Sequence, residues 1–134
     1  MRVVLKNEFF HDGRGPELRH AHYSATGSSL LAVEYVNPPL GGRPYGEVRH
    51  LLFVKPQVFM FTPEEVENYE ANPAPWGSTE NGAAVCLGHS AWLHSFSQRH
   101  LAQCEHYRLM FYDEFLDIIC EGIEAKQGGY GASG

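Results

Sequence analysis

The sequence predicts an α+β domain: an antiparallel sheet of about five strands with two or three helices packed mainly on one face. Three observations lead there. Short turn-rich connections join the strand-like segments of the first half, which implies antiparallel pairing. Helix-start signals appear only later, at Thr62-Pro63-Glu64-Glu65 and at Ser90. From Glu105 to Tyr112, Tyr107, Leu109 and Phe111 then alternate with His106, Arg108, Met110 and Tyr112, which is the period of a strand with one apolar and one mixed face.

Taken in order, Arg2 to Phe10 reads as a strand closed by the turn HDGRGP. Leu18 to Ala25 and Ser29 to Val36 flank Thr26-Gly27-Ser28 and suggest a hairpin. The prolines and glycines of Asn37 to Gly46 break regular structure and mark a loop. Glu47 to Phe61 is long for one strand, and Pro56 cannot donate to a ladder, so an edge, a bulge or a junction of two strands is expected there. Thr62 and Glu65 match a capping box with Pro63 at the first helical position, and Pro73 and Pro75 limit the helix that follows. Asn72 to Gly82 is a second loop, carrying Trp76.

Ser90 suits the cap of a helix running to about Gln103, with Leu93, Phe96, His100 and Leu101 near one stripe. For residues 115–124, helical spacing of Phe115, Leu116, Ile119 and Ile123 against Asp117, Glu121 and Glu124 favours a helix. The competing reading is a strand returning through a tight Asp113-Glu114 turn. Residues 1–126 thus form one domain, and 127–134 a flexible Gly-rich tail.

A length of 134 residues suits one core, and 43% apolar with 19% charged residues argues against disorder. The net charge is −6 and the ten basic residues form no run, which excludes an electrostatic footprint for nucleic acid or anionic membrane. The N-terminal residues resemble neither a signal peptide nor a span, and three Cys without paired short spacing suit reduced thiols, so a cytoplasmic protein is expected.

Two Cys/His constellations have metal-ligand spacing. Cys86-x2-His89 followed by His100-x3-Cys104 would offer a turn pair and a helical i, i+4 pair to a tetrahedral zinc ion. His20 and His22 share one strand face, and His50 and Glu34 could approach from neighbouring strands. Buried apolar cysteines and a solvated strand face explain the same residues without a metal. Cys104 and His106 also have the spacing for an imidazole-activated thiol, although Glu105 is an unfavourable neighbour for a thiolate. The acid pairs Glu64-Glu65 and Asp113-Glu114 suit helix N-termini, and LGGRPYG lacks the ending of a phosphate loop.

With no complete catalytic set, the expected function is a small binding domain that meets a protein partner, or a second copy of itself, through a sheet edge or the aromatic loop. Trp76, His106, Arg108 and Tyr112 are the candidate contact residues. A zinc-type domain or enzyme is one alternative, and a small-molecule pocket between sheet and helices is another.

Overall fold

The computed structural model describes residues 2–10, 15–26, 29–39, 46–63, 65–66 and 83–131. They form two antiparallel sheets, in place of the single helix-covered sheet that the sequence predicts. The strands are β1 (Arg2–Val3), β2 (Glu17–Ser24), β3 (Leu30–Asn37), β4 (Glu47–Val54), β5 (Val58–Pro63), β6 (Ala84–Gly88), β7 (Glu105–Met110), β8 (Glu114–Cys120) and β9 (Gly122–Gln127). One sheet, here sheet A, has the order β1-β6-β7-β8-β5; the other, sheet B, has β2-β3-β4-β9.

A bent two-stranded ribbon joins the sheets. Val54 pairs with Gly122 at the end of the β4–β9 ladder, and Val58 pairs with Ile119 at the start of the β5–β8 ladder. Between them, the Glu121 amide donates to the Val54 carbonyl and the Gln57 amide to the Ile119 carbonyl. The chain therefore changes sheet at Lys55–Gln57 on one strand of the ribbon and at Glu121 on the other, which forms a sheet corner. Pro56 lies at this break, where no ladder donor is needed.

The inner faces of both sheets make one core. Leu31, Val33, Tyr35, Leu51 and Phe53 of sheet B meet Tyr107, Leu109, Leu116, Ile118 and Cys120 of sheet A, with Phe9 and Phe111 closing one end. Burial of each such side chain contributes about 1.5–3 kcal/mol.

The outer face of sheet A is covered by a short helical segment. Helix α1 (Ala91–His94) and a 3-10 turn (Arg99–Gln103) place Leu93 and Leu101 against Cys104 and Ile119, with Val58, Trp92 and Phe96 around them. Ser90 caps α1 as its sequence position suggests, accepting from the Leu93 amide at 3.2 Å. The helix does not continue to Gln103: it closes at Ser95, whose hydroxyl donates to the Trp92 carbonyl at 2.6 Å, and Arg99–Gln103 is a separate 3-10 turn.

The helix that the sequence predicts over residues 115–124 is two strands, and this, with an α1 of four residues in place of a helix reaching Gln103, overturns the α+β reading. Thr62 and Pro63, the expected cap and first helical residue, extend β5 opposite Phe115 and Glu114. Pro63 is tolerated because β5 is an edge strand and Pro63 its last residue. Residues 115–124 are β8 and β9, and Phe111 N–H donates to the Glu114 carbonyl across the tight turn at Tyr112-Asp113. Glu64, the rest of the expected helix, the loop with Trp76 and the end of the tail (64, 67–82 and 132–134) lie outside the described residues.

Among the described residues, no helix is long and apolar enough to cross a membrane. Gln127 still belongs to β9, and after it the Tyr130 amide donates to the Glu34 carboxylate at 2.8 Å.

Candidate functional site

Under the α1 cover, the outer face of sheet A carries a buried polar chain. Cross-strand register sets Arg108 of β7 directly opposite Asp117 of β8, with His106 diagonal to the same carboxylate. Asp117 Oδ1 accepts from His106 Nε2 at 2.7 Å and from Arg108 Nε at 2.9 Å. The other imidazole nitrogen, Nδ1, lies 2.7 Å from Ser90 Oγ. His106 and Asp117 are 0% exposed and Arg108 is 2% exposed, whereas Ser90 is half-buried. The Trp92 ring packs on the imidazole with centroids 4.9 Å apart.

Hydrogen-bond capacity assigns the protons. A carboxylate only accepts and a guanidinium only donates, so the nitrogen facing Asp117 carries hydrogen. In the neutral imidazole this leaves a lone pair on Nδ1, aimed at Ser90. Ser90 Oγ accepts the Leu93 amide through a lone pair, and with the neutral imidazole its own hydrogen bonds to Nδ1. The chain therefore has the donor order of a serine–histidine–carboxylate relay, with the two ring nitrogens exchanged relative to serine proteases.

On sheet B, His20, Glu34 and His50 stand in one cross-strand row on β2, β3 and β4, with His22 two positions along β2. Glu34 is 8% exposed and is held by Arg19 at 3.4 Å, by His20 at 3.9 Å and by the Tyr130 amide. The Tyr130 ring sits 5.6 Å from that of His22 and 5.7 Å from that of His50, while His50 Nδ1 is 2.9 Å from the Gly128 carbonyl oxygen. The structure thus brings the second histidine set onto one face and fills that face with the C-terminal segment.

The first set scatters. The Cys86 thiol donates to Glu105 at 3.2 Å, the His89 ring faces His94, His100 Nε2 meets Gln57 Oε1 at 2.9 Å, and Cys104 lies in the apolar layer under α1. Among the described residues no group of three or more His, Cys, Asp or Glu is arranged to hold a metal ion.

Cysteine chemistry has no support either. Burial raises the thiols of Cys86 and Cys104 and pushes Cys120 up to about 12, so thiolates are disfavoured. Both nitrogens of His106 are engaged by Ser90 and Asp117, which removes it as an activator for Cys104.

Of the expected contact residues, His106 and Arg108 are interior, and Trp76 is outside the described residues. Tyr112 is 45% exposed and lines an open cavity of about 250 Å³ with Pro16, Asn37 and Pro38. A second open cavity, of about 340 Å³, lies at Phe61, Glu65 and Glu114. No residue of α1 lines either of them.

Sequence reasoning missed Asp117 and saw Ser90 only as a cap. The available signal was an acid inside the apolar run FLDIIC: on a strand, that acid must face inward or be covered, and it then needs a buried donor. Comparisons with protein-family models, with curated proteins and with solved structures find no match to this chain.

Proposed function

We propose that this chain is a binding domain that takes an extended segment of a partner polypeptide onto the free edge of β2. One observation supports this reading: among the described residues β2 pairs only with β3, and seven of its eight residues are exposed. An edge of that kind offers unpaired backbone donors and acceptors to another strand. By contrast, β5, the edge of sheet A on the same side of the molecule, has four of its six residues half-buried.

The two halves of β2 differ. A register shift between Leu18 and His20, together with Glu17 and Arg19, discourages pairing near its start. Ala21 to Ser24 has neither protection. Tyr23 there is 53% exposed with its ring 5.2 Å from that of Phe59, so it presents an aromatic anchor already fixed on one side.

Site-specific photo-crosslinking tests the reading. A crosslinking side chain at His22 should capture the partner in extracts of the native host, while the same group at Lys126 on β9, the opposite edge of sheet B, should not. Added back to the purified domain, the captured protein should slow amide exchange at residues 21–24. Equal capture from both edges, or unchanged exchange along β2, would rule the proposal out.

A further inference from the structure

We propose that Ser90 is an acyl-accepting nucleophile, and that Ser90, His106 and Asp117 hydrolyse small uncharged carboxylic esters. This goes beyond the β2 reading, for it concerns the other sheet and needs no partner protein.

The argument starts from hydrogen-bond polarity. Asp117 Oδ1 accepts from Arg108 Nε and from His106 Nε2, and in the neutral imidazole this leaves Nδ1 as the acceptor 2.7 Å from the Ser90 hydroxyl. A serine bound only as a helix cap needs no such base. The relay also runs from inside to outside: its acid and base are 0% exposed, and its nucleophile is the member that reaches the surface. Burial of the acid and base in low dielectric strengthens the orientation of the imidazole. The half-buried Trp92 ring lies against His106 and offers apolar surface next to Ser90. The net charge of −6 disfavours anionic substrates, and the apolar Trp92 ring favours uncharged esters with an apolar acyl group.

The chemistry balances without a cofactor. Ser90 Oγ bonds to the ester carbonyl carbon as its proton passes to His106 Nδ1. Collapse of the tetrahedral adduct breaks the ester C–O bond, and the departing alcohol takes the proton from Nδ1. Water then attacks the acyl-serine, gives a proton to Nδ1 and releases the carboxylic acid, and Nδ1 returns the proton to Ser90 Oγ. The sum is ester plus water to acid plus alcohol.

The test uses the intact chain with an alkyl fluorophosphonate and p-nitrophenyl butyrate. Peptide mapping should find a single phosphonyl adduct, on Ser90, and turnover should fall in proportion to the labelled fraction. That titration uses only the wild-type protein, so it stands whether or not a variant folds. Ser90→Ala should lose about 100-fold or more of the turnover. Absence of an adduct on Ser90 in folded protein would overturn the proposal, as would turnover that survives full labelling or equals that of a folded Ser90→Ala variant. In either case Ser90 is a cap and a tie between α1 and the sheet. The β2 crosslinking result does not depend on this outcome.

Discussion

Asp117 Oδ1 serves two buried donors at once, and that shared role decides what its loss does. Asp117→Ala would leave the Arg108 guanidinium 2% exposed without its carboxylate and the His106 Nε2–H without an acceptor. Removing one partner of a buried ion pair costs about 3–5 kcal/mol, whereas replacing the whole set by packed apolar groups is often near neutral. Urea unfolding at neutral pH should therefore show a loss of that size for Asp117→Ala. The combined change Asp117→Leu, Arg108→Met, His106→Phe should be much milder. A loss below about 1 kcal/mol for the single variant would mean that the pair is not buried as described. Gly15 is constrained differently: a Cβ there would lie 1.7 Å from the Met110 carbonyl oxygen, so the backbone itself must move. Gly15→Ala should destabilise by about 1–3 kcal/mol in the same assay.

Among the elements, the ribbon of β4–β5 and β8–β9 bends at Lys55, whose φ is 50°. Left-handed backbone costs a non-glycine residue about 1–2 kcal/mol, and a β-branched side chain more. Lys55→Val should lower stability by about 1–2 kcal/mol while Lys55→Gly stays within about 1 kcal/mol of wild type, both by urea unfolding. Equal effects would show that the corner is held by pairing alone.

The same ribbon explains which elements were legible in the sequence. The β2–β3 hairpin and β7 could be read because turn residues or strict alternation mark them. β8 could not: Leu116, Ile118 and Cys120 enter the inner core while Phe115, Asp117 and Ile119 are buried on the outer side, so all but its first residue is buried and period two disappears. A strand covered on both faces then satisfies helical spacing by accident. At Thr62 and Pro63 a local capping signal coincides with the last two residues of an edge strand paired with β8, so the two readings overlap there. The site suffered with the element: once residues 115–124 were read as a helix, Asp117 became a surface acid, and nothing connected it to Arg108 or His106.

For the whole molecule, two carboxylates on sheet A give opposite pH dependences. The hydrogen bond from Arg2, reinforced by the Cys86 thiol, holds Glu105 below the usual carboxylate range. A depressed folded-state pKa contributes stability above the unfolded value of about 4.3, and that contribution is lost as pH falls through the folded value. Burial raises Glu114, and repulsion from Asp113 and Glu17 adds to it. Its contribution has the reverse sign: it is fully present below about pH 4.3 and lost as pH rises through the raised folded value. At neutral pH the ionised Glu105 therefore stabilises the fold, and the ionised Glu114 opposes it.

Thermal midpoints against pH for two variants separate these effects. Glu105→Gln keeps an acceptor for Cys86 but removes the charge opposite Arg2, which is 61% exposed in that pair. An exposed pair of this kind is worth about 0–1 kcal/mol, so the midpoint at pH 7 should fall by no more than about 4 °C, and the difference should shrink as pH falls through the lowered Glu105 value. Glu114→Gln should raise the midpoint at pH 7 and converge with wild type at pH 3, where both side chains are uncharged. The tight turn between β7 and β8 holds Glu114 beside Asp113 and fixes its strand across from Pro63, so the charge cannot move away without breaking that ladder. A Glu114→Gln midpoint that falls at pH 7, or a gain that persists at pH 3, would show that this carboxylate is not the strained charge on the sheet A rim.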